Sequence, residues 1–125
     1  MLFLSDEWID ATRDALGADR EFCRLAEGVR LRLVIIPLEV PAWAGPVTVS
    51  LRDGVVEATR GISEAADAAG RATYADWLAM LRHELHPRTA LLRRRLRGNG
   101  APAILSNLKL IDRALDVFRE NMPEE

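Results

Sequence analysis

The spacing of apolar residues predicts two helices at the start of the chain. The first begins at Ser5 or Asp6, where a short polar side chain can cap the free backbone amides of a helix. Gly17 is expected to end or bend it, because glycine favours the conformations found at helix ends. Apolar residues at helical spacing resume over residues 18–26, and Gly28 ends this second helix.

Residues 29–36 and 47–59 carry the alternating pattern of β-strands. The first strand becomes fully apolar toward its end, so that end is expected to be the more deeply covered. Prolines are expected to exclude regular structure from residues 37–46 or to confine it to a sheet edge. Asp53-Gly54 predicts a two-residue hairpin turn, because both positions of such a turn need a positive φ.

The hairpin turn also sets the register of its two strands. Leu51 pairs with Val56 and Val49 pairs with Ala58, so these four side chains share one apolar face. The opposite face is polar and consists of Ser50, Arg52 and Glu57. This sheet is therefore predicted to pack on one side and to meet water on the other.

The second half of the chain predicts two helices, an edge strand and a final helix. Small residues at 66–73 fit either a further strand or one helical turn and a loop. Thr73 caps a helix that is expected to run to Pro87, and Pro87 opens a short second helix. Residues 93–97 predict a basic edge strand, and residues 98–100 a turn. The last helix is predicted to place these side chains on its apolar stripe: Ile104, Leu105, Leu108, Ile111, Leu115 and Phe118.

Composition narrows the class of protein. The chain has 125 residues, of which 49% are hydrophobic, which predicts one domain spanning residues 1–125 with a substantial core. A formal net charge of −2 argues against general attraction to nucleic acid or anionic membranes. One cysteine, Cys23, permits no internal disulfide and is compatible with a cytoplasmic location. The start of the chain lacks the pattern of a signal peptide, and no apolar run is long enough to span a bilayer.

The sequence offers little catalytic chemistry. His83 and His86, with Glu84 between them, have neither the spacing nor the third ligand of a metal site, and a solvated helix end is the better interpretation. Cys23 is expected to be buried and inert. The sequence therefore predicts no catalytic residue, no metal and no cofactor.

Two surface features leave alternatives open. The arginines at 93–95 and 97 fit a solvated edge strand, a surface that docks on an anionic membrane or lipid headgroup, or, least well, a nucleic-acid contact. Trp43 is either a lid over the core or an exposed anchor for a membrane or partner, and the lid is the favoured interpretation.

Three segments resemble the sterol carrier protein type-2 (lipid-transfer) domain, in its small stand-alone bacterial form. They are the opening FLSDEWIDA, the hairpin VTVSLRDGVVE, and TYADWLAML followed by HPRTALLRRRLRGNG. Two glycines of the family pattern are missing, one replaced within Arg82-His83-Glu84 and one by Arg93 or Arg94. The resemblance implies an α+β fold, with a twisted, mostly antiparallel sheet, helices on one face and an apolar tunnel between them.

The resemblance also implies a function. A non-enzymatic carrier would hold a lipid or fatty-acyl ligand in the tunnel, with at most peripheral membrane contact, no nucleic acid and a possible homodimer. The alternative is a ligand-free interaction or dimerisation module, or an accessory subunit of a lipid-metabolising enzyme. The expected tunnel residues are Val49, Leu51, Val56, Trp77, Leu78, Leu81, Leu85, Leu91, Ile104, Leu105, Leu108 and Ile111.

Overall fold

The computed structural model describes residues 2–121, and in it helices cover one face of a five-stranded sheet. The strand order is β3-β2-β1-β4-β5, and all neighbours are antiparallel except β1 and β4. This confirms the α+β architecture expected from the sequence. The helices are α1 Asp6–Ala18, α2 Arg20–Leu25, α3 Tyr74–Leu81, α4 Pro87–Leu92, α5 Ala101–Ser106 and α6 Leu108–Asn121. The strands are β1 Arg30–Leu38, β2 Val47–Arg52, β3 Val55–Arg60, β4 Ala68–Thr73 and β5 Arg97–Asn99.

The predicted hairpin is confirmed in turn and register. Asp53 and Gly54 have φ angles of 51° and 83°, as a turn with two left-handed residues requires. Leu51 pairs with Val56 and Val49 with Ala58. The side chains of this face pack under α1, α2 and α6.

β1 runs two residues beyond Ile36, into the segment where prolines were expected to exclude regular structure or to confine it to an edge. The strand continues through a buried Pro37 to Leu38. The pairs with β2 end at Ile35, so Pro37 lies where β1 has only β4 beside it. A missing amide is tolerated at a position that faces one neighbouring strand rather than two.

The small residues at 66–73 form strand β4 between β1 and β5. A Cβ added at Gly98 would collide with the carbonyl oxygen of Ala69, so β5 approaches β4 more closely than any other residue would permit. A Cβ at Gly70 would lie 3.1 Å from the ring of Trp77, which rests on the strand. Small side chains are therefore a packing requirement of this part of the sheet.

α3 ends earlier than predicted, and both α3 and α4 are followed by a residue with a left-handed φ angle. α3 ends at Leu81 rather than near Pro87, because His83 adopts a left-handed φ of 61°. α4 ends at Leu92, and Arg94 two residues later has φ 57°. The edge strand β5 is therefore Arg97–Asn99 instead of residues 93–97, and it includes two of the three residues, 98–100, that were predicted to form a turn. His83 and Arg94 lie at the two places where the family pattern led us to expect glycine, the residue that adopts such angles without strain.

The final helix is broken at Asn107, and the break changes which face is buried. The stripe predicted for one continuous helix is only partly correct: Leu115 and Phe118 pack against the core, but the most buried side chains of α6 are Leu110 and Val117, at 5% and 1% exposure. Asn107 has φ −121°, outside the helical range, so α5 and α6 do not share one phase. Leu105, which the continuous stripe placed inside, is 50% exposed.

Candidate functional site

A small apolar cavity lies between α1 and α6 on one side and strands β1, β2 and β3 on the other. Its volume is about 20 Å³. That is space for about one water molecule, whereas ligand pockets usually measure about 300–1,000 Å³. Its lining is formed by Trp8, Ile9, Thr12, Arg13, Leu16, Ile35, Val47, Val49, Val56, Ala58 and Phe118.

Trp8 gives this cavity its one unusual polar feature. The residue is 3% exposed, and its indole Nε1 has no hydrogen-bond partner among the described residues. The ring is held by edge-on contacts with Phe3 and Phe118, whose centroids lie 4.9 and 5.6 Å away. An unpaired buried donor costs about 1–3 kcal/mol. Trp8 therefore lines the cavity with its apolar ring surface, and the same residue holds a buried donor without a partner.

The mouth of the cavity carries a cation. Arg13 follows Thr12 on α1 and contacts Asp10 at 3.4 Å and Asp14 at 3.3 Å. All three side chains are well exposed, so these ion pairs are weak. Arg13 is thus available to an anionic group at the end of the apolar cavity.

Two polar contacts fasten α6 over the cavity. Arg113 on α6 donates to both carboxylate oxygens of Asp19, at 2.9 and 2.6 Å, and Asp19 also caps α2 by accepting from the amide of Phe22. The hydrogen bonds from Arg113 hold the pKa of Asp19 below its ordinary value against the opposing effect of burial. At the other side, His83 Nε2 lies 3.0 Å from Asp116 Oδ1. Opening the cavity by moving α6 would have to break or bend these contacts.

The predicted tunnel residues fall into three groups. Val49 and Val56 line the cavity, and Leu51 is buried beside them under α2 and α6. Trp77, Leu78 and Leu81 pack against the N-terminal segment and α1, whereas Leu85 and Leu91 join a separate cluster against β4 and β5. Ile104, Leu108 and Ile111 are half-buried, and Leu105 is exposed. The structure therefore places these twelve residues around more than one centre.

The sequence interpretation missed the α1 wall of the cavity. None of the twelve expected tunnel residues lies on α1, although Trp8 and Leu16 of that helix line the cavity. Ala58 could have been found, because the hairpin register already placed it on the face of Val49. The position of Phe118 at the cavity depends on how α6 is rotated after the break at Asn107, and only the fold shows that rotation.

The other candidate groups lie apart from the cavity. Within residues 2–121, no three His, Cys, Asp or Glu side chains come together as a metal site would need. His86 caps α4, with its Nδ1 accepting from the amide of Arg88. Cys23 is half-buried, and its Sγ lies near the carbonyl oxygens of Leu16 and Gly17. Across the described part of the chain, no helix is both long and apolar enough to cross a bilayer.

Comparison with known proteins identifies the fold. The sequence matches no protein-family model and no curated protein. The structure is similar to a conserved hypothetical protein of Thermus thermophilus described as possibly a sterol carrier protein: TM-score 0.80, 22% identity, 99% of this chain and 92% of that one. A crystal structure of sterol carrier protein 2 matches with TM-score 0.80, 22% identity, and 97% and 100% coverage. Sterol carrier protein domain 2 of Helicoverpa armigera matches with TM-score 0.68, 17% identity, and 95% and 91% coverage. The chain has the fold of sterol carrier protein 2.

Proposed function

We propose that the chain binds a single-chain amphiphile of the fatty-acyl class between α1, α6 and the sheet, and that it catalyses no reaction. The observation that carries the proposal is an apolar cavity lined by Trp8, a residue whose buried Nε1 lacks a hydrogen-bond partner among the described residues. A ligand oxygen would supply that partner, while the acyl chain would replace apolar contacts. The structural similarity to sterol carrier proteins also supports binding of a lipid-like ligand.

Binding on this scale requires the cavity to open. A chain of ten carbons gains about 8 kcal/mol from burial, at about 0.8 kcal/mol for each methylene, before the costs of association. The cavity of about 20 Å³ holds none of it. We propose that α6 moves away from the sheet, which would break its partly exposed polar contacts through Arg113 and Asp116 and would also separate Leu110 and Val117 from the core. The expected tunnel residues on α5 and α6 would then join the ligand site.

The head of the ligand would lie in one of two places. A carboxylate at the mouth would meet Arg13, and an oxygen inside would meet Trp8 Nε1. Both groups favour an acyl chain that carries oxygen over a plain hydrocarbon. Fatty-acid affinity of Arg13→Gln, compared with that of Arg20→Gln on the exposed start of α2, distinguishes the two positions. A loss in Arg13→Gln alone places the carboxylate at the mouth, and no loss in either variant places it inside.

The proposal is tested by displacement of a fluorescent fatty acid from the purified protein. Ala58→Leu adds three carbons inside the cavity and is expected to weaken binding at least about tenfold, because the added volume competes with the ligand. Thr59→Leu is the matched control, since Thr59 is the next residue on β3 and points to the opposite, open face. Saturable displacement that Ala58→Leu abolishes and Thr59→Leu preserves supports the proposal. No saturable binding, or equal effects of the two variants, contradicts it.

One observation favours the ligand-free alternative. A cavity of about 20 Å³ is what a packed core leaves, and α5 presents an apolar side chain, Leu105, that is 50% exposed. A second copy of the chain could cover this side chain. Light scattering after size-exclusion chromatography separates the two candidates: a dimer that Leu105→Ser dissociates, together with no fatty-acid binding, favours the interaction module.

A further inference from the structure

Exposed apolar side chains concentrate at the end of the sheet where β1 ends and β2 begins. Among the described residues, Leu2, Leu38, Val40, Trp43 and Ile62 are 41–61% exposed. Leu38 is the last residue of β1, and Val40 and Trp43 lie in the connection to β2. Ile62 follows the end of β3, which pairs with the beginning of β2. We call these five residues the apolar rim.

Arg60 holds the rim together. Its guanidinium donates to the carbonyl oxygens of Leu4 at 2.8 Å, Gly45 at 3.3 Å and Trp43 at 3.5 Å, and it pairs with Asp6 at 2.9 Å. One side chain thus ties the N-terminal segment to the proline-containing loop. The rim is an assembled surface made from three separate parts of the chain, which scattered exposed residues would not be.

A cationic segment lies beside the rim. Residues 71–100 contain seven of the 17 basic residues but only two of the 19 acidic ones, so the small net charge of the chain conceals a strong asymmetry. Arg97 is opposite Arg71 on β4, and Arg71 is opposite Ile36, two residues before the end of β1. Arg95 pairs with Asp76 in the first turn of α3, which begins at the same end of the sheet.

This cationic segment adds an apolar side chain of its own. Leu92 is 80% exposed at the end of α4 and is followed directly by Arg93 and Arg94, both exposed. The rim also carries the carboxylates of Asp6 and Glu39, and Asp6 is paired with Arg60. The attraction for anions therefore comes from the arginine segment, and the apolar contact comes from the rim and Leu92.

We infer that this end of the molecule docks on an anionic phospholipid surface. Apolar side chains that project from loops can enter the interfacial layer, and Trp43 suits it because indole combines an apolar ring with a polar N–H. Arginines close to a bilayer contribute about 1 kcal/mol each toward anionic lipid. An acidic protein partner could also bind the arginines. The apolar rim, however, is irregular, is made of loop tips and consists mainly of aliphatic side chains. The geometry favours the lipid surface, and it does so without any assumption about a ligand inside the fold.

The inference is tested by co-sedimentation with vesicles of phosphatidylcholine alone and of phosphatidylcholine mixed with phosphatidylglycerol. The protein is expected to bind the mixed vesicles, with a blue shift of tryptophan fluorescence, and to dissociate as salt is raised. Trp43→Ser is expected to weaken binding on the order of tenfold. Val55→Ser is its control, because Val55 is 61% exposed in the hairpin at the opposite end of the sheet.

The charge is tested by a matched pair of double variants. Arg93→Gln with Arg94→Gln is expected to lower affinity for the mixed vesicles about fivefold for each arginine removed. Arg30→Gln with Arg52→Gln removes two exposed arginines that lie opposite each other on β1 and β2, near the hairpin turn. This double variant is expected to leave binding unchanged. Absence of binding to mixed vesicles, or equal losses in the variants and their controls, would overturn the inference.

Discussion

Replacement of Trp8 by phenylalanine asks whether its unpaired indole N–H matters. The change removes a buried donor whose lack of a partner costs about 1–3 kcal/mol. It also removes ring atoms from a packed site, which costs roughly the same amount in lost contacts. We therefore expect the free energy of unfolding to change by less than about 1 kcal/mol, although Trp8 is only 3% exposed.

Trp77→Phe is the matched comparison, because Trp77 Nε1 donates to the carbonyl oxygen of Ile36 at 3.3 Å. Here the same substitution breaks a hydrogen bond, and we expect it to destabilise the fold by about 1–2 kcal/mol. Urea denaturation of both variants measures the difference. In the displacement assay, Trp8→Phe is expected to weaken the binding of decanoic acid about tenfold and to leave the binding of decane unchanged. A loss above about 3 kcal/mol for Trp8→Phe, or equal weakening of both ligands, would refute the reasoning.

Three further predictions concern the fold. Gly98→Ala is expected to destabilise the protein by about 3 kcal/mol or more in urea denaturation, since its Cβ would collide with Ala69. Gly17→Ala is the control: this position lies in open space on α1, and the change should stabilise the protein by about 0.5–1 kcal/mol. Asp19→Asn keeps the cap but not the charge. Because the pKa of Asp19 is lowered, chiefly by the hydrogen bonds from Arg113, its stabilising effect is present above the ordinary carboxyl pKa of about 4 and is lost as pH falls through the folded-state pKa. The advantage of wild type over Asp19→Asn should therefore shrink as the solution is made acidic. Arg94→Gly should raise the melting temperature by relieving about 1 kcal/mol of left-handed strain, and an unchanged or lower value would count against it.

The features predicted from sequence are those with local causes. The Asp53-Gly54 turn specified a register that the fold reproduces, and Thr73 caps α3 by accepting from the amide of Asp76. Proline at position 87 begins α4, because its fixed φ suits a first helical turn. Each of these depends on residues within a few positions of one another, so one sequence is enough to find them.

The features that escaped prediction have distant causes. His83 and Arg94 adopt left-handed angles, and neither position carries the glycine that would have predicted them. The break at Asn107 altered the buried face of the last helix, which no count of apolar spacing revealed. The missing hydrogen-bond partner of the buried Trp8 is likewise a property of the assembled core. Of the candidate cavity, the hairpin wall was predictable and the α1 wall was not.

Binding of a spin-labelled fatty acid, followed by NMR, tests the central claim most directly. If the acyl chain lies between the helices and the sheet, the paramagnetic label should broaden the methyl signals of Val49, Val56 and Leu16, which line the cavity. Thr59, on the open face of β3, should be broadened less than these three residues. Broadening confined to the open face or to the apolar rim, or none at a saturating concentration of ligand, would contradict the account.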